Sequence, residues 1–234
     1  EIVQFNQTPA ISDIVNMVST LFFKDNYAKL YDKTFARVSY QQEVVNGLTL
    51  FGNAEYSRRK SLSNNTDYVL IKNDKEFTSN NPLFPALDIP IFDTHRLAKG
   101  TITARFNFAQ EYITRPDGKM NLANEKYPTL FASYEKAFAG SEKNYEYDAI
   151  YARLNYTLKL GNKGELATNF KAGKFFGADG ISFADYKHFN GNQTHVGMSE
   201  SYLNVFNLLP YYSRSTNDSY LELHAEYNDK GFIM

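Results

Sequence analysis

The chain of 234 residues contains no cysteine and no tryptophan, and only four histidines. Without cysteine, disulfide staples and thiolate metal sites are excluded. No apolar run is long enough for a membrane-spanning helix. Neither sign of charge dominates: the formal net charge is -1, so no global field favours nucleic acid as a partner. Phosphate-binding loops, Gly-x-Ser-x-Gly and His-Glu-x-x-His are also missing. No serine sits in a recognisable nucleophile setting, and the chain reads as non-catalytic and without cofactor. It begins at Glu1, with neither an initiator methionine nor a signal peptide, and ends at Phe232-Ile233-Met234 in or just after a strand. We read it as a processed or partial chain.

What the chain has in abundance is aromatic residues, 18 Tyr and 19 Phe, more than disordered sequences carry. It also has long segments of two-residue alternation. In 101–112, Ile102, Ala104, Phe106, Phe108 and Tyr112 share one face, and Thr101, Thr103, Arg105, Asn107 and Glu111 the other. Side chains alternate across a strand, so each such segment separates two environments. The mean hydropathy of -0.48 fits a soluble protein. It fits a transmembrane barrel equally, because half of each barrel strand faces water.

Residues 1–33 form a helical or irregular lead. Thr8-Pro9 reads as an N-cap with proline at the first helical position. Ile11, Ile14, Val15, Val18, Leu21 and Phe22 then recur at helical spacing, which predicts a short amphipathic helix near 9–23. Strands follow from 34 to 234. Segments 34–45 and 48–60 both place their apolar side chains on even numbers. A two-residue Asn46-Gly47 turn alone would put them on opposite faces. A three-residue loop, Val45-Asn46-Gly47, with Gly47 left-handed restores agreement. It also sets Arg37 opposite Glu55 and Tyr40 opposite Gly52. Further strands are predicted at 66–72 (weakly), 98–113, 128–139, 145–160, 165–176 and 219–228, with long loops near 73–93 and 177–218. These two loops fall on one end of the sheet and the 161–164 turn on the other. The tight turn at 45–47 then sits, exceptionally, with the long loops.

The fold class is therefore all-β, an antiparallel transmembrane β-barrel represented in part, with a short N-terminal amphipathic helix. Arg105, Arg153, Glu222, His224 and Glu226 are assigned to its polar lumen, and Ile102, Ala104, Phe106, Leu154 and Leu158 to lipid. Glu222, His224 and Glu226 share a strand face and have the chemistry of an acid/base set, but a hydrated wall needs only polar side chains there. Asp185, His188 and His195 have metal-ligating chemistry, but their loop spacing imposes no common face and no metal is assigned. The alternative reading is a soluble all-β module binding carbohydrate or protein, with its apolar faces packed into a sandwich.

Several segments carry a resemblance. They are Asn26-Tyr27-Ala28-Lys29-Leu30-Tyr31, Tyr56-Ser57-Arg58-Arg59-Lys60-Ser61-Leu62, the stretch Asp185-Tyr186-Lys187-His188-Phe189-Asn190-Gly191-Asn192, and Leu208-Leu209-Pro210-Tyr211-Tyr212. Over nearly its whole length the chain resembles the Bacteroidota outer-membrane barrel family of unassigned function whose members often carry an N-terminal carboxypeptidase-regulatory-like domain. The resemblance implies a bacterial outer-membrane location, with outer-membrane lipid and other envelope proteins as partners. It also implies distant similarity to outer-membrane assembly and secretion barrels, in which a loop bearing Arg-Gly-Phe/Tyr folds into the lumen. The 177–218 loop is similar in position and lacks the arginine. Asp185, His188, Phe189, Gly191 and Asn192 are its candidate lumen residues, with a role in assembly or transport.

Overall fold

The computed structural model describes residues 1–8, 11–65, 68–71, 74–123, 126–138, 140–193 and 203–229. One eight-stranded antiparallel sheet dominates. Its members are β1 (Ile2–Gln4), β2 (Leu30–Val45), β3 (Leu48–Ser61), β4 (His95–Asn107), β7 (Thr129–Phe138), β8 (Tyr147–Lys159), β9 (Glu165–Phe176) and β10 (Ser219–Asn228), paired in that order. A separate hairpin, β5 (Tyr112–Arg115) and β6 (Gly118–Asn121), occupies the connection between β4 and β7. The large sheet curls into a half-barrel, and closure into a complete barrel is not seen.

The strand predicted at 66–72 is absent among the described residues 68–71. Its Asn-rich flanks serve the neighbouring strands instead. The Asn80 amide donates to the Leu30 and Leu62 carbonyls and accepts from the Leu30 N–H, in place of a further ladder. Losing that strand moves the Asn46-Gly47 turn away from the long loops, but the long 108–128 connection with its β5–β6 hairpin lies at the same end as that turn. The Asn46-Gly47 and 160–164 turns now share one end, and the 62–94 and 177–218 loops share the other.

The first hairpin keeps the predicted register by different means. Arg37 faces Glu55 and Tyr40 faces Gly52, and the Arg37 guanidinium donates to Glu55. The turn itself is two residues, Asn46-Gly47, because Val45 pairs with Leu48. The extra residue is Val44, a bulge between Glu43 and Val45. Gly47 has φ 84° as expected. A Cβ there would come within 2.5 Å of the Asn107 carbonyl oxygen.

The lead segment is more ordered than its sequence predicts. Helix α1 (Asp13–Phe23) starts later than expected, capped by Ser12, whose hydroxyl accepts from the Val15 N–H. The expected Pro9 start lies outside the described residues. No α1 side chain is buried, and Ile14, Met17, Val18 and Phe23 are exposed. Before the helix, β1 pairs with β2, and Phe5 is 2 % exposed in an aromatic cluster with Tyr31, Phe92, Phe183 and Tyr212. Strand β4 stops at Asn107, short of the predicted 113, and the chain turns into the β5–β6 hairpin.

The two faces of the sheet differ sharply. Odd-numbered residues of β2, β3, β4, β7, β8 and β9, and even-numbered residues of β10, point to the inner face. Across the strands in register, Leu221, Ala172, Ala152, Ala132, Ala104 and Leu50 form one outer row. Leu223, Phe170, Leu154, Leu130, Phe106 and Leu48 form the next. The register puts the charged outer side chains of these strands (Asp32, Arg58, Lys60, Arg96, Lys136, Asp148 and Lys174) in the half nearest the long loops. The corresponding inner row reads Glu222, Lys171, Arg153, Phe131, Arg105 and Thr49.

Candidate functional site: a loop docked on the polar inner face

The 177–218 segment folds back over the inner face. Ser182 caps a single 3-10 turn, Phe183–Asp185, and both ends of that turn are buried. Phe183 enters the aromatic cluster, and Asp185 reaches the sheet. Its carboxylate, 1 % exposed, accepts from Arg59 Nη1 at 2.5 Å and Lys99 Nζ at 3.2 Å. The Tyr147 hydroxyl lies 3.3 Å away and also bonds Glu135, which pairs with Lys99. Burial alone would raise the Asp185 carboxyl, but the neighbouring Arg59 and Lys99 charges outweigh it and hold the group well below the usual carboxylate range.

Among the described residues His188 hydrogen-bonds no carboxylate. Its Nε2 lies 2.9 Å from the Phe183 carbonyl, which can only accept, so Nε2 carries the proton. Nδ1 faces the Ser215 hydroxyl at 2.7 Å. Burial, reinforced by the Lys187 charge, lowers its pKa to about 4. Asp185 and His188 thus turn to different partners, and His195 lies outside the described residues.

Phe189 is half-buried and packs edge-on against Phe206 and against Tyr220 of β10. Gly191 permits a close backbone approach: a Cβ there would lie 2.0 Å from the Leu209 carbonyl oxygen. The adjacent Asn192 N–H donates to that carbonyl.

The wall residues fall into two groups. Glu222 gathers Lys171 at 2.8 Å, Lys187 at 2.9 Å and His224 Nε2 at 2.8 Å. Phe206 packs on the His224 ring. Arg105 donates to Thr49 and lies over Phe51, and Arg153 stacks on Phe131 with 4.0 Å to the ring centroid. Glu226 shares the inner face but joins neither group, and its Oε2 is buried without a hydrogen-bond partner.

Sequence reading missed Arg59, Lys99, Glu135 and Tyr147, the partners of Asp185. All four occupy odd positions on the polar face, so their direction was visible; which of them a distant loop carboxylate would meet was not. Two hollows remain beneath the loop, of ≈ 360 and ≈ 430 Å³, sharing Gln7, Ser133 and Tyr151 in their walls.

Docking is expected to weaken with acid in two stages. The folded pKa of His188 lies below its unfolded value of about 6.5. The native state therefore binds fewer protons between the two values. Its contribution, on the order of 3 kcal/mol, is complete above about pH 6.5 and lost as pH falls towards 4. The Asp185 contribution is lost only below about pH 4, as its unfolded carboxyl protonates. Near-UV circular dichroism of the packed tyrosines should show both stages, and His188→Gln should remove the first. An unchanged acid profile in that variant would contradict the assignment.

The fold and site define a class: an all-β half-barrel sheet with an apolar outer face and a polar inner face on which a long loop is docked. The whole chain, residues 1–234, matches the C-terminal domain of a family of unknown function (DUF5686), and it belongs to that family. No curated protein and no solved structure matches it.

Proposed function

We propose that this chain forms part of the wall of a bacterial outer-membrane β-barrel. Lipid covers its outer face, the 177–218 loop braces its lumen, and it serves outer-membrane assembly or transport without catalysis. The supporting observation is an inversion of the usual burial pattern. Ile102, Leu221 and Leu223 are 60–69 % exposed, whereas Arg59, Asp185 and Glu222 are 2–3 % exposed. A protein folded in water buries its large apolar side chains and rarely shows a contiguous apolar surface of this extent. The sandwich alternative needs a second layer on the outer face. Among the described residues no second sheet packs there.

The dimensions suit a bilayer. From Ile150 to Leu160 the outer side chains of β8 and its end are Ile, Ala, Leu, Tyr, Leu and Leu. That stretch is about 34 Å long, or about 26 Å high at a tilt of about 40°, close to the apolar band of a transmembrane barrel. Tyr40, Tyr56 and Tyr134 stand at its loop-side margin, where aromatic girdles occur. The 62–94 and 177–218 loops share one end, as the long external loops of such barrels do, while the other end carries the tight Asn46-Gly47 and 160–164 turns together with the 108–128 hairpin connection.

The cysteine-free sequence makes the test direct. Single cysteines at Ile102, Leu154 and Leu221, labelled with a fluorophore in reconstituted full-length protein, should be quenched by brominated lipid. Cysteines at Ser39, exposed on the inner face, and Thr103 should escape quenching and react with a water-soluble maleimide. Equal quenching at both sets, or a detergent-free soluble protein with Leu154 in a closed core, would overturn the reading.

A further inference from the structure

The hollow of ≈ 360 Å³ lies between the β8–β9 wall and the docked loop. Arg153, Lys171 and Lys187 line it, and among the described residues Glu222 is the one carboxylate in its wall. Glu222 is already engaged by both lysines and by His224. Among the described residues Arg153 has no carboxylate partner. Its guanidinium carbon lies over the Phe131 ring, 4.0 Å from the centroid, and a cation held by a ring face makes no demand on its N–H donors. His188, also in the lining, is neutral at physiological pH. The hollow therefore carries an excess of two positive charges. Around these cations the lining offers neutral hydrogen-bonding groups: Gln7, Ser133, Asn190 and Asn204. The rim is fixed by the Asn6 amide, which donates to the Asn190 side chain at 2.9 Å.

We infer that this hollow binds a phosphate group, either on a small water-soluble phosphomonoester or on a lipid headgroup, with the Arg153 fork as its main donor. A phosphate dianion matches the charge excess. A planar guanidinium presents two parallel N–H donors to two phosphate oxygens, and the lysines add point charge. The volume falls in the range of small-molecule sites. The inference deepens the lumenal reading by giving the site a ligand class. It uses only the inner face and its loop, so it stands or falls separately from the lipid contacts of the outer face.

The test is calorimetric titration of the full-length protein in zwitterionic detergent. Inorganic phosphate and glycerol 3-phosphate form one arm, and phosphatidic acid in mixed micelles the other. Saturable one-site binding is expected in at least one arm. Binding in the first identifies a soluble phosphate as ligand, and binding confined to the second identifies a headgroup. Arg153→Gln should weaken binding tenfold or more, and Arg153→Lys by less. Lys174→Gln, on the outer face, should leave it unchanged. Arg153 makes no ion pair among the described residues, so both of its variants should keep the wild-type circular dichroism. No saturable binding in either arm, or equal affinities for wild type and Arg153→Gln, would overturn the inference. Neither result would alter the lipid-quenching outcome.

Discussion

Replacing Asp185 with Asn is expected to release the 177–218 loop from the sheet. The substitution leaves Arg59, 3 % exposed at its side chain, without its carboxylate partner. Lys99 retains Glu135 at 3.1 Å, so the stranded charge is that of Arg59. Breaking a buried pair from one side costs about 3–5 kcal/mol, most of it the penalty of an uncompensated buried charge. The loss should appear as local opening, because the aromatic cluster holds the loop at other points. Trypsin cleavage after Lys187 should therefore accelerate by roughly two to three orders of magnitude. A second substitution, Arg59→Leu, should restore much of the protection, since removing both charges removes the penalty. If Asp185→Asn left cleavage unchanged, the brace would have to lie in the aromatic contacts alone.

The second large effect concerns the outer face. Leu154 sits in the charge-free part of the sheet, between Leu130 and Phe170 in its row. Leu154→Arg should destabilise the protein in lipid by about 2–4 kcal/mol, the range for arginine near the bilayer midplane. Phe176 is also exposed on the outer face but lies at the loop end, directly opposite Asp148 across the ladder. There the same arginine should cost about 0–1 kcal/mol. Urea unfolding in liposomes measures both. A gradient with depth indicates lipid, whereas equal costs would mean that protein covers the face.

The strands were legible because their alternation is long and regular. The last strand was read at 219–228 and found at Ser219–Asn228. The first hairpin shows how parity alone can fix a register while leaving the device open. The even-numbered apolar sets demanded one extra residue, and the chain supplied it as a bulge at Val44 rather than in the turn. Segment 66–72 misled because Tyr68-Val69-Leu70-Ile71 is a short run of apolar, strand-favouring residues. The edge of β3 where they would have paired is taken by β4, and the Asn80 side chain closes the end of the β2–β3 ladder. At the site, Phe189 and Gly191 were readable from their chemistry: a large ring needs cover, and a glycine permits backbone contact. The Asp185 network was not. Its members come from β3, β4, β7, β8 and a loop, and no local pattern encodes a meeting across 126 residues of chain.

The curled sheet has two bare margins. Beyond the three residues paired with β1, the far side of β2 has no partner among the described residues, and neither has the far side of β10. Each margin is a comb of backbone donors and acceptors roughly ten residues long. In water such a comb recruits any extended chain it meets, the usual route to edge-to-edge aggregation. In hydrocarbon it cannot persist, since each unpaired N–H or C=O costs several kcal/mol. A sheet whose outer face belongs in lipid therefore cannot keep these margins open there. On the lipid-facing reading proposed above, other backbone runs alongside β2 and β10, and the two combs define its requirements: extended, antiparallel or parallel, and in step with the alternation that already separates the two faces.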